Sequence, residues 1–287
     1  MSYTRYLAAD PVPPASTGWD RWATDYAALG ENPTYALAKA LLHELVDEVA
    51  PPPRDRDAWA LDFHCGAGDD LARLLARGWR VVGCDGSRGM LDAAASRCTH
   101  ALASGQLELW CGRAEELAPA SFRGRRFDLI FSTTGGFAYL DDEQVVRVHR
   151  VLAAMLAPGG VMVIAHLTPF CAAESLYHLG HLRVGRAIQR WRRRVPITVR
   201  GEPMTMRLRS PRHIRRLLSG VVDIDRMAPL LACTPPFQSG FVVPGSRSLA
   251  ALRAIERRAA RVSALAALAD QVVCVARARR SSSNSER

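Results

Sequence analysis

Residues 61–70 read LDFHCGAGDD, an apolar run that breaks into Gly66 and Gly68 among titratable side chains. Glycines so spaced make a turn whose bare backbone lets N–H groups approach a ligand closely. A dinucleotide fingerprint needs a third glycine for helix–strand packing, and that position is Leu71. Asp62 opens the turn and Asp69-Asp70 follow it. Carboxylates beside a pyrophosphate repel it, whereas beside a cation they help. At the end of the next apolar run, VVGCDGS, Asp85 is placed to accept hydrogen bonds from a ribose diol. The set disfavours a nicotinamide dinucleotide and favours a positively charged adenosyl ligand.

The elements that must hold these residues follow from apolar spacing. Short, nearly continuous apolar runs predict strands at 59–63, 80–84, 107–111, 127–132 and 160–166, with helices at 69–77, 87–98 and 141–157. Such alternation gives right-handed crossovers and a doubly wound parallel sheet, with ligands beyond the carboxyl ends of its strands. One or two helices precede it and stop at the triple proline 51–53. After residue 170 the rhythm changes to a helical stretch and then two strands around Gly201-Glu202-Pro203. A helix capped by Ser210, a strand near 221–227, a helix at 248–268 and a last strand in DQVVCVARA complete the chain. In the helix at 248–268, Leu249, Leu252, Ile255, Ala259, Val262 and Leu265 share one stripe. Residues 1–16 read as loose and the serine-rich tail as disordered.

Composition narrows the partners. The net charge is +10, yet Lys39 is the only lysine, a skew that reflects GC-rich coding more than selection for phosphate. Arginines concentrate between Arg183 and Arg216, and two readings stay open there: a solvated helical face or contact with an anionic partner. No run of 18 uninterrupted apolar residues exists, because Pro158-Gly159-Gly160 splits the longest candidate. No membrane span and no secretion signal are expected. Seven scattered cysteines without a C-x-x-C pair predict a reducing cytoplasm and no bound metal.

The motifs LDFHCGAGD, VVGCDGSRGML, RFDLIFSTTGGFAYLDD and LAAMLAPGGVMVIAH, in that order, resemble the class I S-adenosyl-L-methionine (SAM) dependent methyltransferases. The resemblance covers residues 20–170 well. It implies an α/β Rossmann-like seven-stranded sheet whose last strand is antiparallel. An N-terminal helical lid (1–57), a cofactor-binding core (58–170) and a cap over the acceptor (171–209) would be followed by a C-terminal completion of the sheet (210–278) and a tail (279–287). It also implies roles. Asp62, Gly66 and Gly68 would shape the methionine pocket, Asp85 would bind the ribose, and Gly86 and Met90 would pack near the adenine. Ser132 and Thr133 would line the methyl-transfer face, and Tyr26 would fold over the cofactor. Two positions depart from the family. His64 replaces a glycine; relatives with alanine there imply that the backbone does not demand a positive φ, and the imidazole either packs away or reaches the SAM carboxylate or acceptor. Arg113 replaces an acid that accepts from the adenine amino group, so Glu115 or Glu116 must substitute, with the Ala114 backbone meeting the adenine edge.

Methyl transfer from a sulfonium is an in-line displacement in which alignment supplies much of the acceleration. A hydroxyl acceptor needs a base, and the candidates are His166, Tyr139, Glu174 and His178. His178 and His181 show no third metal ligand. FSTTGGFAYL lacks the Asn/Asp-Pro-Pro-aromatic signature of enzymes that methylate nucleobase or glutamine nitrogens. TPFCAAESLYHL and RAIQRWR, together with SPRHIRRLL and TPPF, resemble small-molecule methyltransferases of bacterial biosynthetic clusters. The expected acceptor is therefore a small molecule in a pocket of Trp22, Phe137, Tyr139, Phe170, Tyr177 and Trp191. Alternatives are an RNA-modifying methyltransferase using the arginine-rich cap, or the same SAM fold without methyl transfer; nucleic acid is the lesser expectation, and the chain would be a monomer or a homodimer.

Overall fold

The computed structural model describes residues 6–7, 17–53, 57–133, 135–243 and 245–279. The expectations of a loose start and a disordered tail fall mostly outside them. In chain order come β1 (Tyr6–Leu7), α1 (Gly18–Ala27), α2 (Pro33–Val49), β2 (Trp59–Phe63), α3 (Asp69–Ala76) and β3 (Arg80–Asp85). Next are α4 (Arg88–Arg97), α5 (Thr99–Ala103), β4 (Leu107–Cys111), β5 (Phe127–Ser132), α6 (Asp142–Ala154) and β6 (Leu156–Leu167). Residues 171–209 hold α7 (Ala172–Gly180), α8 (Val184–Ala187) and the hairpin β7 (Arg194–Val199) and β8 (Glu202–Arg207). Then follow α9 (Pro211–Leu217), β9 (Val222–Leu230), α10 (Gly245–Ala259) and β10 (Gln271–Ala278).

The main sheet runs β1-β4-β3-β2-β5-β6-β10-β9, with β10 antiparallel to both its neighbours. This is the expected Rossmann-like sheet with one addition. Tyr6–Leu7 pairs in parallel with Leu109–Trp110 and makes an eighth, edge strand that two residues of sequence do not announce. Apolar side chains alternate between the faces. Ala60, Val81, Leu129 and Val163 meet α2, α3 and α4 on one side, while Leu61, Val82, Ile130 and Ile164 meet α6 and α9 on the other. Because α2 buries Leu37, Leu41, Leu42 and Val46 in the first of these layers, it belongs to the body of the fold.

Two boundaries differ from the sequence reading. Helix α6 ends at Ala154 and β6 begins at Leu156, so Pro158-Gly159-Gly160 lies inside the strand. A register shift between Phe127 and Leu129 absorbs it, and β10 joins β6 only from Met162 onward, so the missing proline N–H breaks no pairing there. The helix expected at 248–268 stops at Ala259, and a 3-10 turn at Ser263–Ala267 replaces its end. The predicted stripe is buried only in part: Leu249 and Leu252 pack on the core and Ala259 is buried, but other members turn outward. Ile255 and Val262 are 45% and 48% exposed, while the buried Glu256 accepts the backbone N–H groups of Ala232 and Cys233 at 2.9 Å each.

Candidate active site

The chain leaves β2 at Phe63 and turns through three left-handed residues: His64 at φ 63°, Gly66 at 53° and Gly68 at 84°. Position 64 therefore does demand a positive φ, which corrects the sequence expectation. A non-glycine residue there costs roughly 1–2 kcal/mol. Gly68 packs on α4 so closely that a Cβ would lie 2.9 Å from that of Ala94.

Asp85, ending β3, ties this turn to the next one. Its Oδ2 accepts from Gly66 N at 3.0 Å and its Oδ1 from Ser87 N at 2.9 Å. Helix α1 lies across the same place. Asp20 accepts from Ser87 Oγ at 2.6 Å and Gly89 N at 2.7 Å, and Gly89 admits this contact because a Cβ would meet Asp20 Cα at 2.8 Å. Under α1, Met90 is buried with Ala23 and Ala67, against Trp19, Trp22 and Tyr26. The Tyr26 ring covers Gly66, 3.1 Å from where its Cβ would stand. Gly86 is exposed beside Asp85.

Beneath the turn is a group that sequence reasoning missed. The Lys39 ammonium, on α2, contacts Asp70 and donates to Thr133 Oγ1 at 2.8 Å. His43 Nε2 and Thr133 Oγ1 also reach Asp70, at 2.8 and 2.7 Å. Burial alone would lower the Lys39 pKa, but the facing Asp70 holds it above its ordinary value, and Asp70 is held below the usual carboxylate range. Tyr35 Oη donates to Asp69 at 3.3 Å. The signal was present: Tyr35, Lys39, Leu42 and Val46 form one helical stripe with a charge in its middle.

Carboxylates outnumber the cation here. Asp62 is 1% exposed, and its Oδ2 has no partner among the described residues. Burial first, and then the Asp70 charge, push its pKa well up. Burial likewise raises Asp85 against the pull of the Ser87 and Gly66 N–H groups. A cation bound beside Asp62 and Asp85 would favour their ionised forms.

The other sequence candidates divide. Ser132 and Thr133 are buried at the end of β5, facing the glycine turn through His64 and Asp70. Arg113 is exposed; its backbone N donates to Glu116 at 2.8 Å, and Glu115 accepts from Gln144 Nε2 at 2.6 Å, so both acids have other partners. Ala114 is half-buried against the α6 side. Tyr139 stands edge-on to Trp19 at 5.2 Å, its hydroxyl pushed up to about 12 by burial. It lines a cavity of about 610 Å³ with hairpin residues including Pro196, Ile197, Met204 and Arg207. His178 is buried on α7, 4.0 Å from Glu174, which is itself ion-paired with Arg190. The six aromatics do not form one pocket, since Phe137 is wholly buried and Trp191 is 59% exposed beside Phe170.

His166 does not face the cavity. Its ring stacks on His149 at 5.6 Å and meets Phe137 at 5.3 Å, on the α6 side of β6. It cannot serve as the acceptor's base from there. Burial lowers His149 to about 4 and holds His166 well below the ordinary imidazole range. The unfolded chain takes up protons that these folded imidazoles refuse, so they cost stability as pH falls from 6.5 toward 4. The expected result is a melting temperature that falls progressively over that interval, and less steeply in His149→Phe.

Residues 60–160 match the family described as "Methyltransferase domain". That segment, about a third of the chain, is thus similar to a methyltransferase domain. The same architecture recurs in solved structures. The CcbJ methyltransferase from Streptomyces caelestis superposes with a TM-score of 0.58 at 14% identity, over 92% of this chain and 99% of that one. The glycopeptide N-methyltransferase MtfA, complexed with S-adenosyl-L-homocysteine, gives 0.52 at 17% identity, over 83% and 88%. The DhpI complex with the same compound gives 0.51 at 16%, over 91% and 93%. At these identities the likeness is one of fold. No curated protein matches the sequence. The matched segment spans β2 to the first residues of β6 and so contains the glycine turn, Asp85 and Ser132. No helix among the described residues is long and apolar enough to cross a membrane.

Proposed function

We propose that the protein transfers a methyl group from SAM to a small-molecule acceptor. The observation that carries the reading is the surplus of carboxylate at the glycine turn: the buried Asp62 and the half-buried Asp85, near a Lys39 already committed to Asp70. Such a site suits a sulfonium and an ammonium and opposes a pyrophosphate. SAM, when bound, supplies an activated methyl group. Asp62, with its unpartnered oxygen, would hold the cationic methionine end, and Gly66 under Tyr26 would give the close backbone approach. Asp85 would exchange its backbone partners for, or share them with, a ribose diol. Ser132 and His64 flank the opposite wall, and the Tyr139 cavity beneath the hairpin would admit the acceptor. A group of that size fits a drug-like molecule better than a polymer. Natural-product enzymes among the fold neighbours, such as the pyocyanin biosynthetic protein PhzM (TM-score 0.50), support this choice of acceptor class.

Calorimetry tests the cofactor directly. The expected result is saturable binding of S-adenosyl-L-homocysteine and no heat with a nicotinamide dinucleotide. The reverse pattern would sink the reading.

A further inference from the structure

His64 is held in a way that packing alone does not require. Its backbone sits at φ 63°, where glycine would relieve the strain. The chain instead keeps an imidazole and shapes a slot around it. Phe63 and Phe137 flank the ring, with centroids 4.1 and 5.4 Å away. The third wall is Gly136, where a Cβ would come 2.5 Å from His64 Cγ and 2.8 Å from its Cβ. Any other residue at 136 would collide with the ring. Two positions in different loops are thus fitted to one side chain: a histidine where glycine is easier, and a glycine where the histidine needs room.

The slot fixes the ring's chemistry as well as its place. Nδ1 lies 3.5 Å from Ser132 Oγ. With Nδ1–H directed at that oxygen, Nε2 keeps its lone pair. Nε2 has no partner among the described residues, and the side chain is only half-buried. Burial lowers the imidazole to about 4, so it is neutral near pH 7. The ring lies where the glycine turn meets the end of β5 and the loop after it, beside Ser132, Gly136 and Phe137.

We propose that His64 is the residue that reads the charged centre of the cofactor, Nε2 accepting a hydrogen bond from the polarised C–H or N–H group at that centre. The inference rests on the reading that the site takes SAM. Ser132 then acts as a positioning residue by fixing the tautomer.

The test uses two ligands that differ at that centre and needs no acceptor. S-adenosyl-L-homocysteine is neutral there, whereas sinefungin carries an ammonium on carbon. Dissociation constants for both are measured on the wild-type chain, His64→Gly and Ser132→Ala. The wild type is expected to prefer sinefungin, and His64→Gly to reduce that preference about tenfold, the worth of one hydrogen bond to a charged group. S-adenosyl-L-homocysteine affinity should stay within about threefold. Ser132→Ala should lose part of the preference. Because glycine tolerates a positive φ, His64→Gly should melt no lower than the wild type; if it does, His64→Asn, which also tolerates that conformation, repeats the comparison. An unchanged ratio in the His64 variants, with both ligands weakened equally or not at all, overturns the inference and leaves the methyltransferase reading standing. Failure of the wild type to bind either compound overturns both.

Discussion

Lys39→Met is expected to be the most damaging single substitution in the molecule. The ammonium is buried with Asp70 and Thr133, and Asp70 also takes His43. Removing the cation strands a carboxylate away from water, which costs about 3–5 kcal/mol. Native domains have only about 5–15 kcal/mol to lose. Thermal unfolding should therefore move down by ten degrees or more, or the chain should fail to fold. The double variant Lys39→Met, Asp70→Leu should recover much of the loss, because no charge is left unpaired. Additive losses in the two variants would show that the pair contributes nothing as a pair.

Asp85→Ala is expected to have the largest effect on ligand binding. In the structure this carboxylate already organises two backbone turns, through Gly66 and Ser87. Its loss frees both turns and removes the acceptor proposed for the ribose. Two hydrogen bonds to a charged group at about 1.5–3 kcal/mol each predict at least a hundredfold weaker S-adenosyl-L-homocysteine. Asp85→Asn keeps one oxygen and should fall between. Calorimetry reads both, with circular dichroism as the control for folding. Wild-type affinity in Asp85→Ala would place the nucleoside elsewhere.

Much of this architecture was readable in advance because parallel strands buried on both faces leave unbroken apolar runs. β2, β4 and β5 have the bounds expected from WALDF, LELWC and FDLIFS. The features that escaped share a cause: they depend on contacts between distant segments. Strand alternation puts His166 on the same face as Met162 and Ile164, but which face looks toward α6 is decided by the whole sheet. On α10, Glu256 bonds the chain after β9, a partner 24 residues away that helical periodicity does not reveal. At His64, glycine-turn spacing located the residue, yet its φ and its fit to Gly136 are visible only once the loop after β5 is in place. Lys39 lay in plain view on an apolar stripe, and its acid partner, 31 residues on, did not.

The burial of Lys39 has a practical corollary. It is the chain's only lysine, and it is 3% exposed. A succinimidyl ester or other amine-directed reagent therefore meets no side-chain target on the closed molecule. Acylation at that one position would record each excursion in which α2 parts from the turn below it, giving a chemical clock for breathing at the heart of the protein.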